Sequence, residues 1–322
     1  MAIRKSSATL RPDLTQTVYE YDMEKLKDRY LCRKLFPIFK SATKTGEYPV
    51  FTQEVLHQPV NLDRNPTGGY NRIDAELESR TYGTRDRGQE FALDDEEANQ
   101  YATYLDFLEA MGKVIWDRIL AAHDVLAEAV IDGATMTNAS TAWATLATGS
   151  VMADVATGLD TLSDRCGKPK EDMILVLPKA DYDYAKDNTL ILDRIKYTNP
   201  GVSNTNMTGA ILAGLFGCKE VIRANAIKNS AGKKGAVTME QLWPTSSAYI
   251  VAPVESESAS LRSPGLGRTI LWTEDSPTFP VTETYGSDEV RAEILRLRAN
   301  TSIQMQTDDI DLFVYGINTA GA

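Results

Sequence analysis

Two acidic runs are the first places to look for chemistry. Asp308, Asp309 and Asp311 lie close enough to share a cation, and Asp94, Asp95, Glu96 and Glu97 put four carboxylates in a row, from which an acid–base pair could be drawn. Neither run carries the idea further. The first lacks the ligand spacing of a calcium loop and reads as a solvated turn. The second stands where acidic side chains favour the start of a helix. Ala231-Gly232-Lys233-Lys234 lacks the upstream glycine and the hydroxyl residue of a phosphate loop, and Gly265-Leu266-Gly267-Arg268 offers two glycines of a dinucleotide turn without the third. There is no His-Glu-x-x-His and no Gly-x-Ser-x-Gly elbow. His57 and His123 are the only histidines, which excludes a multi-histidine metal centre. Cys32, Cys166 and Cys218 are odd in number and far apart, so they read as buried free thiols. The expectation is a protein with no catalytic residue, no cofactor and no metal: not an enzyme.

Composition points the same way. The 322 residues are 43% hydrophobic, enough for a sizeable core, and no run approaches the roughly 20 apolar residues of a membrane span. The first ten residues carry Arg4 and Lys5 without an apolar stretch behind them, so they are not a secretory signal, and synthesis in the cytoplasm is the default. Net charge is −11, yet residues 1–40 hold nine Lys or Arg against five Asp or Glu. An acidic body behind a basic arm does not grip nucleic acid through phosphates, although it can line a container that holds it.

The elements follow from periodicity. Residues 1–46 read as an arm, with the apolar cluster Leu35-Phe36-Pro37-Ile38-Phe39 seeking something to pack on. Residues 47–92 are polar and punctuated by Pro49, Pro59, Pro66, Gly68, Gly69, Gly83 and Gly88, with strand-like pieces at Tyr48–Phe51 and Arg80–Leu93. So long a connection, with strands inside it, reads as a two-stranded excursion. From Asp94 to about 131, apolar residues recur at spacings of three and four (Tyr101, Tyr104, Leu105, Leu108, Met111, Ile115, Ile119, Ala122, Leu126, Val130), one stripe on a helix roughly 55 Å long. His123 falls beside that stripe as a packing residue.

Helix and strand alternate from about 145 to 275: helices at Val151–Cys166, Ala180–Lys196 and Thr208–Phe216, and strands at Met173–Leu177, Glu220–Asn225, Tyr249–Val254 and Thr269–Thr273. Strict alternation from Leu295 to Gln306 gives a half-buried strand, and Leu312–Tyr315 is a second strand able to pair back on it after a turn at Asp308-Asp309. The fold class is α+β.

Several stretches, in order, resemble the major capsid proteins of tailed double-stranded DNA phages, a fold shared with herpesvirus shells and encapsulins. They are Arg33-Lys34-Leu35-Phe36-Pro37 with Gly46-Glu47-Tyr48; Ser79 to Leu93 running into Asp94-Asp95-Glu96; Trp143, Asp154–Leu162, Gly167-Lys168-Pro169 and Met173–Pro178; and Leu190–Tyr197. Leu212–Gly217 with Val221, Leu242-Trp243-Pro244 before Tyr249-Ile250-Val251, and Gly267–Trp272 complete the set. The resemblance spans residues 28 to 317. No single motif is specific; order and spacing carry it.

That resemblance implies an N-terminal arm (1–46), an extended loop (47–93), a peripheral domain (94–144 and 276–322, with the spine helix at 94–131) and a mixed α/β axial domain (145–275). It implies a structural virion protein that assembles as pentamers and hexamers, through a procapsid, into an icosahedral shell in the bacterial cytoplasm. The genome would be enclosed without sequence-specific binding. The partners implied are other copies, a separate scaffolding protein, a portal protein and a decoration protein, with no membrane. The candidate inter-subunit contacts are Arg64, Arg72, Arg80, Arg85, Arg87, Glu76 and Glu78 in the loop, and Phe36 and Phe39 in the arm. Some relatives cross-link through a loop lysine; none lies between Glu47 and Gln100, so arginine–carboxylate pairs are the expected ties. An encapsulin-type compartment and a soluble α+β enzyme are the alternatives.

Overall fold

The computed structural model describes the chain apart from residues 1–8, 22–28, 51–62, 64–67, 69–77, 95–106, 199–200, 202, 231–236, 255–263, 288–290 and 322. The described part of the arm folds onto its own chain. Strand β1 (Thr9–Leu10) is followed by helix α1 (Pro12–Tyr21), which opens on a proline, a residue suited to a first helical turn. Leu14 and Val18 of α1 are buried. After the four-residue helix α2 (Cys32–Leu35), strand β2 (Ile38–Ser41) enters a sheet.

Strands β3 (Thr45–Val50) and β4 (Glu78–Gly83) pair antiparallel, with Thr45 opposite Gly83 and Val50 opposite Glu78. This is the two-stranded excursion. Its buried side chains Tyr48, Val50 and Tyr82 form, with Ile270, a cluster separate from the main core. Strand β5 (Arg85–Asp94) follows.

The spine helix is α3, Phe107–Ile131, about 37 Å of continuous helix. Its expected first turn, with Tyr101, Tyr104 and Leu105, lies outside the described residues. Asp94, expected at the helix start, is instead the last residue of β5, opposite Ala292. The buried face is rotated from the expected stripe: Trp116, Leu120, His123, Asp124, Ala127 and Ile131 are inside, while Ala122 is exposed and Ile119, Leu126 and Val130 are half-buried. A purely apolar template misses this because two polar residues lie on the inner face.

Strand β6 (Met136–Asn138) leads to α4 (Val151–Cys166), which stops at Gly167, whose φ of 68° glycine tolerates without strain. Strand β7 (Ile174–Pro178) is buried at every position. The single helix expected over 180–196 is two, α5 (Lys179–Asp187) and α6 (Thr189–Thr198). Asn188 makes the break. Its Oδ1 accepts from the Leu190 and Ile191 amides at 3.0 and 3.3 Å, and its amide donates to the Gly149 carbonyl at 3.1 Å. Helix α7 (Gly209–Phe216) and strand β8 (Glu220–Ala224) precede a small hairpin, β9 (Ile227–Asn229) and β10 (Met239–Gln241). The remaining strands are β11 (Ser247–Val251), β12 (Gly267–Trp272), β13 (Val281–Ser287), β14 (Ala292–Met305) and β15 (Val314–Asn318).

Two sheets organise these strands. In the first, the long β14 is flanked by β5 on one edge and by β13 and then β12 on the other, with β1 beyond β13 and β2 parallel to β12. The second runs β6-β15-β11-β7-β8, with parallel pairs at both ends and antiparallel pairs in the middle. Strand β15 therefore does not pair back on β14 as expected. Its first four residues are all buried, so it needs neighbours on both edges and cover on both faces, which β11 and β6 and the helices of that sheet supply. A 3-10 turn at Ile310–Leu312, capped by the Asp309 carboxylate, carries the chain away. Likewise β12, from the stretch expected to be axial, belongs to the β14 sheet.

Candidate functional site

Of the residues expected to bind other copies, Arg64, Arg72 and Glu76 lie outside the described residues. The rest divide. Arg85 and Glu78 are exposed on the hairpin and its continuation, and neither pairs with a described residue. Arg80 pairs with Asp308 of its own chain, and Arg87 donates to the Thr301 carbonyl at 2.9 Å. Phe36 is a correction: at 0% exposure it fills its own core, and Thr269 Oγ1 donates to its carbonyl at 3.0 Å. The arm finds its apolar complement at home. Phe39 is half-buried, with the Arg268 guanidinium 5.9 Å from its ring. The acidic run near 308 is likewise in use: Asp309 accepts from the Asp311 amide at 3.0 Å, and Asp311 accepts from the Thr135 amide at 2.8 Å.

Charge on the β14 sheet forms a ladder within the chain. Arg296 Nε donates to Glu90 on β5 at 2.5 Å, while Arg298 donates to Asp275 at 2.6 Å and to Glu283 on β13 at 2.9 Å. These pairs join three strands side to side. They are partly buried and bidentate in part, so they hold geometry better than isolated surface pairs do.

The residue sequence reasoning missed is Asp124. Its Oδ1 accepts from the Leu31 and Cys32 amides at 3.0 and 2.9 Å, and its Oδ2 from Trp243 Nε1 at 3.0 Å. One fully buried carboxylate thus ties the arm, the spine helix and the segment before β11 together. Burial pushes its pKa up to about 6 against the pull of those three donors. The available signal was a lone Asp on an otherwise apolar arc of α3. Asp181 is a second such group, raised to about 6 by burial and held by Thr319 Oγ1 at 2.9 Å.

Two cavities flank Phe279, which precedes Pro280 through a cis peptide. The larger, about 560 Å³, runs between α1 and this segment, and Arg11, Arg33 and Lys40 line it together with Ile38, Leu271 and Phe279. Arg33 lies over the rings of Trp116 and Phe279 at 5.2 and 5.3 Å. No acidic residue among the described ones lines this cleft, so it suits a segment that is both apolar and acidic.

No protein-family model matches the sequence, and no curated protein matches it at a significant level. Solved structures do. A phage-related protein from Bordetella bronchiseptica superposes with a TM-score of 0.70 over 98% of this chain and 99% of its own, at 18% identity. The capsid structure of the cyanophage P-SCSP1u covers 100% of this chain and 91% of its own, with a TM-score of 0.59 at 8% identity. A virus-like particle from Pyrococcus furiosus matches 95% of this chain and 96% of its own, with a TM-score of 0.55 at 10% identity. The fold is the phage major capsid fold.

Proposed function

We propose that this chain is the shell subunit of a tailed double-stranded DNA phage, assembling as pentamers and hexamers into an icosahedral capsid around the genome. The observation that carries the reading is that the match to a cyanophage capsid structure covers 100% of this chain. An outlying hairpin with a satellite core of four side chains also suits an element completed by other copies.

In this reading the sheet centred on β14, with α3, is the peripheral domain, and the sheet containing β7, β11 and β15 is the axial domain. Residues 47–93 reach another copy. There Arg85 and Glu78 supply exposed charge, Arg64, Arg72 and Glu76 act alongside them, and the cleft bounded by Arg11, Arg33 and Lys40 receives loop carboxylates. Each such pair contributes about 0–1 kcal/mol, so closed symmetry must multiply them. A scaffolding protein, a portal protein and a decoration protein are the further partners, and assembly takes place in the host cytoplasm. The role is structural, not catalytic.

Electron microscopy of the purified full chain, with and without a scaffolding partner, tests this. Closed shells about DNA are expected when the particles come from infected cells. A uniform small oligomer under every condition overturns the reading. The second reading is an encapsulin-type compartment, a shell of the same fold; the Pyrococcus furiosus match is a virus-like particle. Protein cargo in place of DNA inside the particles decides for it.

A further inference from the structure

The smaller cavity beside Phe279 has no part in the shell reading. It measures about 210 Å³ and lies between α3, β5 and β14. Ile119, Ala122, Phe279 and Ala299 make its walls apolar, while Arg87, Arg118 and His123 bring the polar atoms; no carboxylate of the described residues lines it. His123 is 4% exposed, and neither of its ring nitrogens has a hydrogen-bond partner among the described residues. Leaving a buried imidazole N–H and its lone pair unpaired costs about 1–3 kcal/mol per group. Its ring is held by Phe279, 5.6 Å away.

We infer that this cavity is a binding site for a carboxylate on a short aliphatic stem, the stem against the apolar walls and the oxygens toward Arg87, Arg118 and His123. The lining argues for this class over inorganic phosphate. Phosphate, a strongly hydrated mono- or dianion near neutral pH, would lose its water to apolar walls without enough donors in return. Arg87 already gives one N–H to the Thr301 carbonyl, which orients the guanidinium, and Arg118 is exposed at the mouth with no described ion partner.

The electrostatics agree. Burial first, and then the cations Arg87 on β5 and Arg33 on α2, push the His123 pKa down to about 4. Arg118, on its own helix, also lines the cavity. The imidazole is therefore neutral near pH 7 and donates one N–H. A bound anion offsets the cations and moves the titration upward.

The chain's two histidines make this measurable by nitrogen-15 histidine NMR of the full-length protein, with His57→Gln used to assign the signals. Sodium propionate is the probe, and sodium chloride at equal ionic strength and propionamide are the controls. A saturable shift of the His123 signals is expected with propionate alone. At pH 5 the protonated fraction should rise about fivefold as the midpoint moves from about 4 to about 5. Arg118→Gln, at an exposed helix position, should abolish the response while leaving the control spectrum in place. Equal responses to propionate and chloride, or a propionate response that survives Arg118→Gln, overturn the site. In assembled particles, a His123 signal already shifted without propionate assigns the carboxylate to a side chain of a neighbouring copy; an unshifted signal that responds to propionate assigns it to a free acid. The unassembled-protein measurement stands whether or not the chain builds shells.

Discussion

The five-stranded sheet and the β3–β4 hairpin use similar strand chemistry to opposite ends. Strand β7 is buried at all five positions, between β11 and β8, and its side chains join the main core. The hairpin is a bare pair of strands whose apolar anchors are Tyr48, Val50 and Tyr82 against Ile270. A two-stranded ribbon is marginal alone in water. The lesson is that the sheet carries its own stability, while the hairpin borrows its apolar foothold from β12.

The largest effect that could break this contrast is in the sheet. Leu175→Ala, at a fully buried β7 position, should lower the stability of the isolated subunit by about 2–5 kcal/mol, read from its urea midpoint. Tyr82→Ala should leave that midpoint nearly unchanged and act on particle yield. If both substitutions unfold the subunit alike, the two regions are one cooperative unit.

Next comes the joint between arm and body. A carboxyl whose folded pKa is raised binds more protons folded than unfolded, so its contribution falls as pH rises from about 4 to 6. Asp124 should thus shed about 3 kcal/mol across that window. His123 runs the other way: its lowered pKa makes stability rise with pH between about 4 and 6.5, which masks the slope in the native protein. Asp124→Asn removes one falling contribution and leaves that of Asp181, giving a curve that climbs with pH from 4 to 6 relative to the native one. A curve parallel to the native one would remove Asp124 from the joint.

A smaller effect sharpens the hairpin side. Tyr82 Oη meets Ser41 Oγ at 2.8 Å and Thr43 Oγ1 at 2.9 Å. Tyr82→Phe should cost about 0.5–1.5 kcal/mol locally, seen as faster amide exchange in β3 and β4 with the five-stranded sheet unaffected. Smallest is Arg80→Ala, which removes an exposed pair with Asp308. It should change stability by about 0–1 kcal/mol, and less in high salt.

Local elements were legible because their signals are local. The run Val151–Cys166 with Gly167 behind it specifies a helix and its stop, and Met173–Leu177 specifies a buried strand, from residue types alone. The alternation from Leu295 onward specifies β14. The order of the quoted stretches specified the fold, which the solved structures bear out. What remained hidden depends on partners distant in sequence. Phe36 looks like an arm residue in need of a neighbour, yet its site is built by β12, more than two hundred residues on. Asp124 looks like a solvent-facing helix residue until three donors from other elements converge on it.

The sequence alone determined the most strongly patterned segments, such as Val151–Cys166, Met173–Leu177 and the strand from Leu295, that the body is acidic, and that the chain holds only two histidines and three scattered cysteines. Tertiary structure alone decided which sheet β12 and β15 join, which arginines pair at home, and that His123 faces a cavity with its nitrogens unmet. The division has one physical cause. Backbone preference and amphipathic period act over a few residues, whereas pairing and desolvation depend on whatever the fold brings within a few ångströms.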